Sequence, residues 1–395
     1  MKSWIGILTL LLMSMGISNL WAEPYLAAWK GVNCNACHMN ETGGYIRNDF
    51  GRNYGNDLKT FDWQGIADVA QAFTHKTPTW VSAGVDLHES FGAFFTPGVS
   101  SPQFNPTNIN SPLGTLGRQS FSIAIKANEV ISGVFTYRLD ISSSQEVYAL
   151  ISGLPEDSYI KLGKFVTPYG LELADDDSLI RNDLISGGSF SFNSSSNTEG
   201  AEFGIYPDDL FLNAAAFKDS ANQGELDFSA KGGINLRKLT LGGTIYGQNL
   251  AYASSTTNIS KIRYGAYGWT NLGPVVVLGE FDLGHDNNLG FAPPLIAPGL
   301  LPGTFINQNN YTAYHLSVEI DLGMDMYLRL VNEYLFDSSQ IATFDGFRDM
   351  ISFRFYPVRN LKCQLDVQRM DPTVGSLNYA SGPYYAAIFD SYMFY

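Results

Sequence analysis

Leu361-Lys362-Cys363-Gln364-Leu365-Asp366-Val367-Gln368 sets an apolar residue at every odd position and a polar or charged one at every even position. Successive strand side chains point to opposite faces, so such a segment has one greasy face and one wet face. The same alternation recurs in Val81–His88, where Val81, Ala83, Val85 and Leu87 interleave with Ser82, Gly84, Asp86 and His88. It recurs again where Phe121, Ile123 and Ile125 interleave with Ser120, Ser122 and Lys126. Repeated segments of about ten residues with this pattern are the signature of a transmembrane β-barrel. A soluble β-sandwich also alternates.

The connections separate the two. Short turns are expected at Asn128-Glu129, Leu154–Asp157, Pro207–Asp209, Leu236–Lys238, Leu272–Pro274, Asp321–Met324 and Pro357–Asn360. Much longer links fall between them, at 96–117, 167–197 and 285–310. Short periplasmic turns alternating with longer outer loops belong to outer-membrane barrels. Counting hairpins predicts an all-β, antiparallel barrel of about 16 strands, from Trp80–Phe95 to Tyr384–Tyr395, with both strand ends facing the periplasm. The closing aromatic, Tyr395, resembles the signal read by barrel-insertion machinery; membership of an aromatic girdle is the plainer account. Cys363 falls on the lipid face as a small hydrophobe. Asp86, Lys126, Arg138, Asp140, Lys161, Arg329, Glu333, Arg354 and Asp366 fall on the lumen face, where charge avoids lipid.

The chain opens with Lys2, an apolar run from Trp4 to about Ile17, and small residues ending at Ala22, which reads as a secretory signal peptide over 1–22. The run is short for a helical membrane anchor. Lys and Arg number 24 against 38 Asp and Glu, for a formal net charge of −14, which argues against nucleic acid as a partner. Three cysteines leave no disulfide framework once two are assigned as follows.

Cys34-Asn35-Ala36-Cys37-His38 is the attachment motif of a c-type haem. Two intervening residues let both thiols reach the vinyl groups on one porphyrin edge, and the histidine is then held beneath the ring as proximal iron ligand. A zinc half-site would want a second ligand pair, and a thioredoxin-like site a βαβ pattern; neither is visible. Residues 23–78 are too few for a large core and need a staple, which one covalent haem c supplies. The domain boundary falls near Pro78, with the barrel over 79–395. A barrel of this size leaves an aqueous lumen, so the haem segment is expected in or at its periplasmic mouth, as a plug.

Pro24-Tyr25-Leu26-Ala27, Gly31, Cys34–His38 and Phe50-Gly51-Arg52 together resemble the start of the outer-membrane monohaem cytochrome–porin fusions. Gly163-Lys164-Phe165 with Pro168-Tyr169-Gly170 is similar to a recurring porin strand. The close match covers about thirty residues, and it departs from the family's iron-oxidising members in length and at Trp29-Lys30-Gly31. The resemblance implies electron exchange with extracellular iron, Fe(II) being the partner it points to.

An electron-transfer haem usually takes a second axial ligand, histidine or methionine. His75 is the first candidate, as the other histidine of the haem segment; His88 is a candidate from the barrel, with His315 and Met350 also on the lumen face. Met39 adjoins His38 and is discounted. Glu172, Asp175, Asp176, Asp177 and Asp183 form the densest acidic run, read as an outer loop that attracts cations such as ferrous iron, or as an ordinary solvated loop. There is no Gly-x-Ser-x-Gly, phosphate loop or His-Glu-x-x-His. The leading expectation is therefore an electron conduit in the bacterial outer membrane, in contact with its lipid, between an extracellular redox partner and a periplasmic c-type cytochrome or other carrier. The alternative is a solute-transporting porin with a haem-containing plug or sensor. A third reading is a haem peroxidase or nitrite-type enzyme.

Overall fold

The computed structural model describes residues 24–32, 80–95, 103–105, 118–138, 145–171, 178, 180, 197–218, 226–251, 258–289, 309–338, 343–358, 361–374 and 383–394. The haem motif 34–38, His75, Asp140, Glu172, Asp175, Asp176, Asp177 and Asp183 lie outside these residues, as do the side chains of Asp86, His88 and Arg138.

Among the described residues, one short helix, α1 (Pro24–Lys30), precedes the strands. The first strands are β1 Val81–Phe95, β2 Gln103–Asn105, β3 Arg118–Lys126, β4 Ile131–Arg138, β5 Gln145–Leu154, β6 Ser158–Val166, β7 Asn197–Ile205, β8 Leu210–Lys218 and β9 Asp227–Asn235. The remainder are β10 Leu239–Ala251, β11 Asn258–Asn271, β12 Val275–Leu289, β13 Asn309–Gly323, β14 Met326–Ser338, β15 Thr343–Val358, β16 Leu361–Val374 and β17 Tyr384–Phe394. From β3 onward each strand pairs antiparallel with the next, as Tyr311↔Asp337 to Gly323↔Met326 does for β13 and β14. β1 pairs with β3 on one side, from Val81↔Ile125 to His88↔Arg118, and with β17 on the other, which closes the sheet into a barrel. The three residues of β2 take over from β3 along β1 at Gly92–Phe94. Among the described residues, seventeen strands thus fill sixteen places around the barrel, since β2 and β3 together do the work of one.

Burial separates a membrane barrel from a sandwich. On β16 the charged and amide positions Gln364, Asp366 and Gln368 are 4%, 2% and 1% exposed, whereas apolar Leu365 and Val367 are 43% and 53% exposed. The inversion repeats on Phe281 beside buried Glu280 and Asp282, and on Leu316 between buried His315 and Ser317. Apolar side chains are left open only where lipid will cover them, so the outward face is a lipid belt. Outward-facing Tyr314, Tyr334 and Phe347 stand in register on three neighbouring strands, with ring centroids 5.7 and 4.6 Å apart, as a cross-strand aromatic ladder. Cys363 has the outward parity expected of it but is buried, between Phe355 and Ser391 of the adjoining strands.

Six of the seven expected short turns are present at one end of the barrel; the seventh, Pro357–Asn360, includes residues outside the described ones. The one that joins β13 to β14 has Met324 at φ 53° and Asp325 at φ 52°. Two left-handed residues in succession give the twist that matches a right-twisted hairpin.

Candidate functional site

Among the described residues, the inward face carries more than charge. Beside its charges it buries Tyr148, Phe165, Phe217, Trp269 and Leu278, each under 9% exposed. Two segments land on it and account for part of that burial.

The first is α1, at the short-turn end. Trp29 Nε1 donates to Glu319 Oε1 on β13 at 2.7 Å, and the indole packs on Tyr327 of β14. Arg354 from β15 reaches Glu319 Oε2 at 2.7 Å and lies over the Tyr327 ring. A carboxylate with 0% side-chain exposure needs such partners, because an unpaired buried charge is costly. Asn271 Nδ2 donates to the carbonyls of Ala28 and Trp29 at the helix C-terminus, where the Gly31 amide also donates to Ala28. The helix stops at Gly31, whose φ of +64° suits glycine and whose missing Cβ would lie 2.2 Å from the Arg237 carbonyl oxygen. A seven-residue helix is too short to persist alone, so these wall contacts hold it.

The second is the link after β6. Ser229 Oγ donates to the Pro168 carbonyl, Tyr169 Oη donates to Asp282 Oδ1 at 2.9 Å, and the Leu171 amide donates to Glu280 Oε2 at 3.1 Å. Further on, Ser178 Oγ donates to Glu333 Oε1 on β14 at 2.7 Å. Thr167 through Leu171, Ser178 and Ile180 are all buried. This corrects the reading of the 167–197 link as an outer loop: its described residues lie along the inner wall past β9, β10, β12 and β14. Leu171 and Ile180 are the apolar residues that make such a path favourable, in a link otherwise read as polar.

The second segment borders a row of inward side chains at one height on adjacent strands. Glu280↔His315, His315↔Glu333 and Glu333↔Arg348 are successive register partners on β12 to β15. His315 Nδ1 is 2.7 Å from Glu333 Oε1, and Arg348 Nη1 is 3.0 Å from Glu333 Oε2. Arg348 Nε adds a bond to Gln368 Oε1 at 2.9 Å, and its Nη2 donates to Met350 Sδ at 3.1 Å. His315 Nε2 is buried and has no hydrogen-bond partner among the described residues; so is Ser317 Oγ, at the next inward position of β13. Across the barrel, Lys161 Nζ pairs with Glu202 Oε2 at 2.9 Å with neither side chain exposed, and Tyr159 Oη donates to the same carboxylate.

Of the lumen charges expected from alternation, Lys161, Arg329, Glu333, Arg354 and Asp366 are inward and buried. Lys126 has the same parity and is half-buried. His88 stands on β1 opposite Tyr392 and Arg118. Glu280, Asp282, Glu319 and Arg348 escaped the sequence reading although their alternation marks them as inward; Trp29 carried no signal at all. No cluster of three or more His, Cys, Asp or Glu side chains able to hold a metal ion occurs among the described residues.

No protein-family model and no curated protein sequence matches the chain. Solved structures do. An anion-selective porin from Comamonas acidovorans superposes with a TM-score of 0.56 at 9% identity, covering 80% of this chain and 99% of that one. In-vitro folded OmpT, an outer membrane protein of Vibrio cholerae, gives 0.54 at 10% identity, covering 82% and 100%. The outer membrane channel DcaP of Acinetobacter baumannii gives 0.51 at 10% identity, covering 81% and 99%. The fold is therefore that of outer-membrane porins.

Proposed function

We propose that the protein resides in the bacterial outer membrane as a porin-type barrel whose lumen houses the segment 23–78, and that one covalent haem c there passes electrons between an extracellular partner and a periplasmic carrier. The observation that supports the reading is the lumen wall, which buries aromatic and ionic side chains together and carries α1 at its short-turn, periplasmic end. Water-filled porins keep a polar interior; this wall is suited to a fitted occupant. Cys34 and Cys37 hold the porphyrin through thioethers and His38 binds the iron. The bound group supplies a one-electron change between ferrous and ferric iron. The chain's part would be to hold the porphyrin and keep its surroundings dry. Extracellular Fe(II) is the donor implied by the resemblance at the N-terminus, and a periplasmic c-type cytochrome is a suitable acceptor.

The solved structures with this fold favour the other reading, a solute-transporting porin in which the haem segment serves as plug or sensor. Two measurements on the purified full-length protein decide between them. Stopped-flow oxidation of the haem or its reduction by Fe(II) in liposomes, abolished in Cys34→Ala/Cys37→Ala, is expected for the conduit. Large, haem-independent currents in planar bilayers, with no electron transfer from Fe(II), would replace it with the porin.

A further inference from the structure

Charged side chains interrupt the lipid-facing surface on β15 and β16. Asn332, Asp349 and Arg369 are successive register partners with outward parity, Asn332↔Asp349 and Asp349↔Arg369. Tyr314 Oη donates to Asn332 Oδ1 at 2.8 Å, and Asn332 Nδ2 donates to Asp349 Oδ1 at 2.7 Å. Arg369 Nη2 pairs with Asp371 Oδ2 at 2.9 Å, with the two side chains 48% and 36% exposed. Apolar side chains surround this island. Phe347 and Ile351 bracket Asp349 along β15 and Val367 adjoins Arg369, all three of them exposed. Asn332 and Asp349 each lie one outward position nearer the membrane centre than Tyr334 and Phe347 of the aromatic ladder.

Outward charge on β6 to β8 is placed differently. Lys164, Glu199 and Lys218 are register partners there, each within two residues of the strand end opposite the short turns, where a charge reaches headgroups and water. Asn332, Asp349 and Arg369 lie six, six and five residues in from the corresponding ends of β14, β15 and β16. A charge facing hydrocarbon at that depth is costly. An anionic headgroup suits it poorly, because the island holds two carboxylates to one guanidinium and that guanidinium is already paired. Its charges do complement a second copy of themselves. Copies inserted in the same direction are related by an axis along the membrane normal, so like heights meet. Register partners on adjacent strands differ in height by only about 3 Å at a strand tilt of about 40°, within reach of an arginine side chain. A two-fold axis between β15 and β16 therefore sets each copy's Asp349 opposite the partner's Arg369. One row nearer the membrane centre it sets Ile351 opposite the partner's Val367, since those two are register partners as well.

We propose that the outward face of β14 to β16 is an interface between two copies of this chain, closed by reciprocal Asp349–Arg369 pairs about a two-fold axis along the membrane normal. Within each copy Asn332 holds Asp349 and Asp371 holds Arg369, so both charges are oriented before the copies meet. Association takes the guanidinium and the Asp349 carboxylate out of contact with lipid and gives each an opposite charge. Two convex barrel walls touch along only a few strands, which is the width of the island.

The test measures energy transfer between donor- and acceptor-labelled copies of the full-length protein in phospholipid vesicles, at a low protein-to-lipid ratio. The wild type is expected to associate in pairs. Asp349→Arg and Arg369→Asp, each taken alone, place like charges opposite one another and should weaken association at least about 100-fold. An equimolar mixture of the two variants brings opposite charges together again at both contacts and should recover mixed pairs. Where a reversal prevents insertion, Asp349→Asn and Arg369→Gln carry the test, each expected to weaken association about 10-fold with the barrel still heat-modifiable on gels. A wild type that stays monomeric overturns the proposal, and lipid phosphate that copurifies with the wild type but not with Arg369→Gln would then give the island to a headgroup. Association in threes, pairing unchanged in all four variants, or two reversals that fail to recover on mixing overturns it equally.

Discussion

Trp29 Nε1 and Glu319 Oε1 meet at 2.7 Å across 290 positions of sequence, tying the N-terminal helix to the barrel wall. A hydrogen bond to a charged acceptor contributes about 1.5–3 kcal/mol. Trp29→Phe keeps the ring against Tyr327 and removes only the donor. Cleavage of the N-terminal segment by a limiting amount of protease should accelerate about 10- to 100-fold, with the barrel still heat-modifiable on gels. An unchanged cleavage rate would mean that this bond does not hold the helix.

Gly31 ends the helix against the Arg237 carbonyl, where no side chain fits. Gly31→Val adds a Cβ 2.2 Å from that oxygen and a left-handed conformation costing about 1–2 kcal/mol for an L-residue. The helix should leave its seat, and single-channel conductance in planar bilayers should rise above wild type. A current equal to wild type would show that this seat has no bearing on the pore.

Lys161 and Glu202 are both wholly buried at 2.9 Å, with the ammonium also near the Tyr148 and Phe165 rings. Glu202→Gln leaves a cation without its counter-charge and should cost about 3–5 kcal/mol, whereas the double change Lys161→Met/Glu202→Leu should recover most of it. Urea midpoints for refolding into phospholipid vesicles measure the cycle. Additive single-variant losses would show that the two do not act as a pair.

Ile351 is 55% exposed near the middle of β15, between buried Met350 and Ser352. Ile351→Arg should lose about 2–4 kcal/mol in the same refolding assay, the cost of arginine at the bilayer midplane. Ile351→Ala, which adds no charge, should lose clearly less. Equal losses from the two would place this face away from lipid.

Alternation made the wall readable. A residue's parity on a strand decides whether it meets lipid or lumen, so Lys161, Glu333, Arg354 and Asp366 could be assigned inward with no partner known. Turn positions were as legible, because a tight hairpin needs particular residues at particular places. The link after β6 was misread as an outer loop since its path depends on Tyr169, Leu171 and Ser178 finding Asp282, Glu280 and Glu333 more than a hundred positions away. Nothing local distinguishes a loop that turns inward from one that stays in solvent.

The sequence by itself determined a lipid-facing cylinder of about sixteen strands and a Cys-x-x-Cys-His motif ahead of it, because both are short-range patterns set by strand pleat and by the reach of adjacent side chains. Only the tertiary structure decided which inward residues share a height. Strand pairing brought His315, Glu333 and Arg348 into one row, placed Trp29 on the strand that carries His315, and left one imidazole nitrogen without a partner among the described residues. Register between strands and the closure of the sheet create those neighbours, and no periodicity within a single strand encodes them.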